Sequence, residues 1–133
     1  MNRKEQDLFI SEFNKDYIRD EICDYFNLTN LIKLDKFNVM DFRCANNYFE
    51  IKSRTFNHNK YKTTMIGKNK IDWAKSNSKN NLIYFVFVFV DGNYYYKYNS
   101  DDNFETTIGG RTDRGFDEIK LYYYIPINKL IKF

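Results

Sequence analysis

Proline and glycine are scarce in this chain, with one Pro and five Gly among 133 residues. That scarcity excludes collagen-like repeats and flexible low-complexity linkers. Cysteine is scarce too. Cys23 and Cys44 stand alone, without a CxxC spacing or the four or six cysteines of a disulfide framework, so two buried free thiols in a reducing cytoplasm are expected. His58 is the one histidine, which leaves too few soft ligands for a structural zinc site. No apolar run is long: Leu82–Val90 covers nine residues, against about 20 for a membrane-spanning helix. The opening MNRKEQDLFISEF is charged too early and too often for a secretory signal. A soluble, intracellular protein without a membrane partner is the expectation. Strong charge of one sign is missing as well: 21 Lys and Arg against 18 Asp and Glu give net +3, which permits a polyanionic partner without arguing for one.

What the chain does have is apolar and aromatic bulk, 43% hydrophobic residues and 20% aromatic. That is globular composition, and the length suits one compact domain over 1–133. Leu8, Phe9, Phe13, Tyr17, Ile18, Ile22 and Phe26 recur at helical spacing, predicting a helix from Lys4 to about Phe26 with Asn14 as a candidate break. LIKLDKF reads either as a short strand or as an amphipathic turn. NVMDFRC and YFEIKSR read as two strands around a tight turn at Ala45-Asn46-Asn47. The stretch at 57–63 is polar and reads as a loop, and Ile66 to about Ser76 suits a short helix with lysines outward. Leu82–Val90 predicts a central strand covered on both faces, turning at Asp91-Gly92 into a partner strand, Tyr94–Tyr98. A polar loop at 99–107 precedes a last strand-like segment, KLYYYIPI. This order describes an α/β or α+β domain on a mixed sheet.

Asp41 and the triplet Glu50-Ile51-Lys52 carry the chemistry. Side chains alternate along a strand, so Glu50 and Lys52 share one face while Ile51 points to the other. With a two-residue loop at either 45–46 or 46–47, Asp41 lies opposite Glu50 or Lys52 and on their face. Hard divalent cations such as Mg²⁺ are held by one or two carboxylates with substrate phosphate and water. Asp41 and Glu50 would supply the carboxylates and the Ile51 carbonyl a third oxygen. Such a cation activates a water nucleophile, and Lys52 can orient or deprotonate that water or offset charge on phosphoryl oxygens.

These residues resemble the PD-(D/E)xK nuclease superfamily. VMDFRCANNYFEIKSR matches its pattern at Asp41 and Glu50-Ile51-Lys52, with Met40 in place of the proline, and the similarity runs over roughly residues 5–98. The resemblance implies a restriction-endonuclease-like α-β-β-β-α-β core with a mixed central sheet and a C-terminal strand extension. It further implies a Mg²⁺- or Mn²⁺-dependent endodeoxyribonuclease of small viral or phage type, similar to junction-resolving members, in the cytoplasm (or nucleus) of a host cell. Many members add a glutamate from the first helix, for which Glu21 is best placed and Glu12 next. DNA is then the expected partner, with a homodimer for cutting two strands. The alternative is a non-catalytic nucleic-acid-binding or virion-associated module that keeps the fold, and a third reading is a small interaction protein using its aromatic surface.

Further candidates surround this set. Arg54, Lys68 and Lys70, with Lys60, Lys62 and Lys75 nearby, could track a nucleic-acid backbone or simply be solvated. Gly109-Gly110-Arg111-Thr112-Asp113-Arg114-Gly115 could cradle a phosphate through its glycine N–H groups, Arg111 and Arg114, or could be a tight turn. Thr63-Thr64 reads as a helix cap, and His58 as polar surface. Of Tyr94-Tyr95-Tyr96, at least one is expected to face outward.

Overall fold

The computed structural model describes residues 2–109 and 120–133, and in the first helix the side chains from 15 onward. Arg111 and Arg114 therefore lie outside the described residues, as does the Glu12 side chain.

The first helix, α1, runs unbroken through Arg3–Phe26, with no interruption at Asn14. Ile18 and Ile22, four apart, are fully buried, with Cys23 and Phe26 packed beside them. Asn27 ends the helix in the left-handed region at φ 56. The Leu28 N–H then donates to the Cys23 carbonyl at 2.9 Å, the six-to-one closure of a Schellman cap, where asparagine tolerates the positive φ.

Three antiparallel strands follow: β1 (Ile32–Lys33), β2 (Phe42–Cys44) and β3 (Asn47–Ser53). β4 (Thr63–Gly67) leads into α2 (Lys68–Asn77). The hairpin of β5 (Leu82–Phe89) and β6 (Gly92–Lys97) comes next, then β7 (Thr106–Gly109) and β8 (Lys120–Pro126), and after a short 3-10 turn β9 (Ile131–Lys132). The central sheet has the order β1-β2-β3-β5-β6-β9. β3 and β5 are parallel, joined by a connection that contains α2, and the other neighbours are antiparallel. This is the mixed α/β sheet expected of a restriction-endonuclease-like core.

Both faces of that sheet are covered. Tyr84 and Val86 of β5 face the α1 side with Ile18, Ile22, Phe49 and Ile51. Ile83, Phe85, Phe87 and Phe89 face the other side with Ile71 and Ala74 of α2 and with Ile66, Tyr123 and Ile125. A strand enclosed on both faces reads as a continuous apolar run, which accounts for LIYFVFVFV. The same enclosure corrects the expectation for the tyrosines. Tyr94, Tyr95 and Tyr96 are all buried, at 8%, 9% and 3% exposure, and none faces outward. Tyr94 and Tyr96 pack on the α2 side and Tyr95 on the α1 side.

Two further features differ from the sequence expectation, and one open reading is decided. Thr63 and Thr64 belong to β4, which pairs with β8 in a second sheet ordered β4-β8-β7. They therefore do not cap α2, whose N-cap is Gly67 without any side-chain cap. Of the two readings open for LIKLDKF, the short strand is the one found, as the two-residue β1. Cys23 and Cys44 are free thiols, but half-buried rather than enclosed.

Candidate active site

The β2–β3 hairpin aligns the site. Its loop is Ala45-Asn46, with Ala45 at φ 52, and its register is Phe42↔Phe49, Arg43↔Tyr48 and Cys44↔Asn47. Of the two registers open from the sequence, this one continues to Asp41 opposite Glu50. Asp41 sits one residue before β2. Its N–H donates to the Phe49 carbonyl at 3.0 Å and its carbonyl accepts from Leu34 at 2.8 Å. Its carboxylate does something further: Oδ2 accepts the Ile51 N–H at 2.7 Å, taking the place a strand carbonyl would hold. The paired register of β2 with β3 ends at Phe42↔Phe49. Because N–H and C=O of one strand residue point the same way, the Ile51 carbonyl also faces this edge, next to the carboxylates.

Glu50 lies on the α2 face of β3 and is 2% exposed. Its Oε2 stands 3.0 Å from Lys70 Nζ of α2, and its Oε1 3.9 Å from Lys52 Nζ. Oε2 meets the Lys70 ammonium at ion-pair distance but outside hydrogen-bond geometry, and so remains unsatisfied. Burial and the neighbouring Asp41 push the Glu50 carboxyl up to about 7, against the pull of Lys52 and Lys70. Burial also presses Asp41 upward, yet the Ile51 N–H, a hydrogen bond with Glu50, and Lys15 outweigh it and leave Asp41 below its ordinary value. Lys52 is lowered, chiefly by burial, with Lys70 and Arg54 adding to the effect. Two neighbouring carboxylates whose pKa values are pushed in opposite directions are a recurrent mark of a reactive site.

The donor set suits a hard divalent cation. Two carboxylates lie together with the Ile51 carbonyl on the same strand edge, and Glu50 retains a buried oxygen without a hydrogen-bond donor. Among the described residues there is no cluster of three or more His, Cys, Asp or Glu side chains, so coordination would be completed by water and substrate oxygens, as is usual for Mg²⁺.

The other sequence candidates scatter. Lys70 was expected outward along α2; it instead turns in to Glu50 and donates to the Val39 carbonyl. Lys68 pairs with Asp72 at 2.9 Å on the exposed side of α2. Arg54 donates to the Met65 carbonyl at 2.6 Å and lies over the Phe87 ring at 5.6 Å, so its guanidinium ties β4 to the central sheet. His58 is pinned to Asp91 at 2.5 Å and stacks on Tyr94. Among the contacts found for Asp41, the α1 side chain is not that of Glu21, and the Glu12 side chain lies outside the described residues. Lys15 takes that place, with Nζ 3.0 Å from Oδ1, about 9 Å along the helix from Glu21 and on a different side. Lys15 went unread in the sequence, although it stands three residues before Ile18 on the buried stripe, where a lysine has to find an anion.

The family model described as "Phage putative PDDEXK endonuclease" matches residues 5–132, further than the motif-bearing stretch. No curated protein and no solved structure matches the chain.

Proposed function

The chain belongs to the phage PDDEXK endonuclease family, and from that premise we propose that it hydrolyses DNA phosphodiester bonds with a divalent metal ion, Mg²⁺ or Mn²⁺. Asp41 and Glu50 would hold the ion with the Ile51 carbonyl, and Lys52 would serve the attacking water. The observation that carries this reading is the Asp41 carboxylate docked on the Ile51 N–H at 2.7 Å beside a buried Glu50 whose partners are all cationic or acidic.

When bound, the cation supplies Lewis acidity toward the phosphoryl oxygen and lowers the pKa of the attacking water. The protein's own groups do the rest. The Ile51 N–H fixes the Asp41 carboxylate through Oδ2, while Oδ1 meets the Lys15 ammonium at 3.0 Å. Lys52 keeps 38% of its side chain exposed, so its amine can reach both solvent and the scissile phosphate. Burial lowers its affinity for the proton, which fits an amine that orients the water, accepts its proton, or offsets charge as the phosphorane forms. One such site cuts one strand. Cutting both strands, or a branched junction as in the similar resolving enzymes, calls for two copies arranged about a two-fold axis.

The test is cleavage of a labelled four-way junction and a matched linear duplex with Mg²⁺, Mn²⁺ or EDTA, beside Lys52→Ala. Metal-dependent cutting that falls at least about 100-fold in the variant, with its circular dichroism unchanged, supports the assignment. Equal cutting by both proteins refutes the role of Lys52. No cutting, with salt-sensitive binding, would favour the non-catalytic binding module instead.

A further inference from the structure

Every carboxylate oxygen of the site has a cation or a donor of the protein within 4 Å, although Glu50 Oε2 accepts no hydrogen bond. Asp41 Oδ2 takes the Ile51 N–H at 2.7 Å and Oδ1 the Lys15 ammonium at 3.0 Å. Glu50 Oε2 faces Lys70 at 3.0 Å and Oε1 faces Lys52 at 3.9 Å. Three ammonium groups thus surround two carboxylates, an excess of positive charge before any metal arrives. Two of the three stand outside the Asp…Glu-x-Lys triplet and come from opposite faces of the sheet, Lys15 from α1 and Lys70 from α2. A divalent cation entering among them would meet strong repulsion unless some ammonium groups withdrew and an anion came in. A nucleic-acid backbone brings that anion.

We propose that Lys15 and Lys70 are exchangeable counter-ions. They hold Asp41 and Glu50 in the metal-free protein, give up the carboxylates to the divalent cation, and then bind the phosphates flanking the scissile bond. The proposal rests on the nuclease reading above. Three features support it. Both side chains keep about a fifth of their surface exposed, 21% and 20%, so each has a path to solvent. Lysine carries a compact charge on a flexible stem and can change partners without moving its helix. The Val39 carbonyl, which also accepts from Lys70, keeps that ammonium near the site once Glu50 is released. The consequence is coupling: metal and nucleic acid each raise the affinity for the other by the same factor.

The experiment is Ca²⁺ titration of the full chain by calorimetry, with and without a four-way DNA junction, on the native protein and on Lys15→Met and Lys70→Met. Junction integrity is followed on a gel, folding of each variant by circular dichroism. The native protein should bind Ca²⁺ at least about fivefold more tightly when the junction is present. Each variant alone should bind Ca²⁺ more tightly than the native protein, yet bind the junction more weakly in saturating Ca²⁺. Native Ca²⁺ affinity indifferent to the junction overturns the proposal and needs no variant. Variants whose Ca²⁺ affinity is unchanged or weaker overturn it too. If the native protein still cuts DNA with Mg²⁺ in that case, the counter-ion role falls while the nuclease reading stands. Absence of both metal-dependent cutting and junction-linked Ca²⁺ binding overturns both.

Discussion

Replacing Glu50 with glutamine should stabilise the metal-free protein, and by an amount that depends on pH. Burial and Asp41 lift the folded-state carboxyl from 4.5 to about 7, and the attraction of Lys52 and Lys70 is already counted in that balance. A folded group whose pKa is raised keeps a proton that the unfolded chain has lost, so its contribution is fully present below pH 4.5 and disappears as pH rises through 7. At about 1.4 kcal/mol per pH unit, the gap corresponds to a loss of about 3 kcal/mol by pH 8. Glutamine has the shape of the protonated acid and no proton to lose. In EDTA, Glu50→Gln should therefore match the native protein near pH 4.5 and exceed it by about 3 kcal/mol at pH 8, roughly 10 °C in Tm for a chain of this size. Mg²⁺ should narrow or reverse the difference, since only the native protein keeps the second carboxylate. Urea melts at the two pH values, with EDTA and with Mg²⁺, measure each quantity. A glutamine variant no more stable at pH 8 than the native protein, or one whose advantage ignores pH, would refute the reasoning.

Other outcomes follow from single positions. Ala45 holds φ 52 in the β2–β3 loop, a conformation that costs an L-residue about 1 kcal/mol, so Ala45→Gly should raise stability by about 0.5–1 kcal/mol in a urea melt. Phe85 has no exposed surface; Phe85→Ala should cost about 3–5 kcal/mol, read in the same assay. Arg54→Lys should lower Tm by several degrees, because a lysine loses the geometry that joins the Met65 carbonyl and the Phe87 ring.

Periodicity was enough to read α1, because Ile18 and Ile22 mark a stripe that only a helix aligns. The β5–β6 hairpin was legible from Asp91-Gly92 and the apolar run before it. Asp41 and the Glu50–Lys52 triplet could be set together because strand alternation and a short loop leave few registers. β4 was not legible. TTMIG has no alternation of its own, and its partner β8 lies far along the chain, at Thr63↔Pro126. The tyrosines were misread for a related reason: Tyr94 and Tyr96 face a layer that includes Tyr123 and Ile125, and nothing local announces that layer. Lys15, and the inward turn of the candidate Lys70 to Glu50, were not legible because a helical lysine is ordinarily solvated. Only the position of the facing strand shows that these two meet carboxylates.

The sheet that separates the two packed layers among the described residues also separates their energetics over most of its area. Ile22 belongs to the α1 layer and Ile71 to the α2 layer, with no shared neighbour in either cluster, so Ile22→Val and Ile71→Val should destabilise additively. Binding of the proposed ion would have no such partition, since Lys15 of α1 meets Asp41 and Lys70 of α2 meets Glu50. A double-mutant cycle on these two isoleucines should therefore close in denaturant and remain open in metal affinity, making the rim of the sheet a point where its two sides communicate.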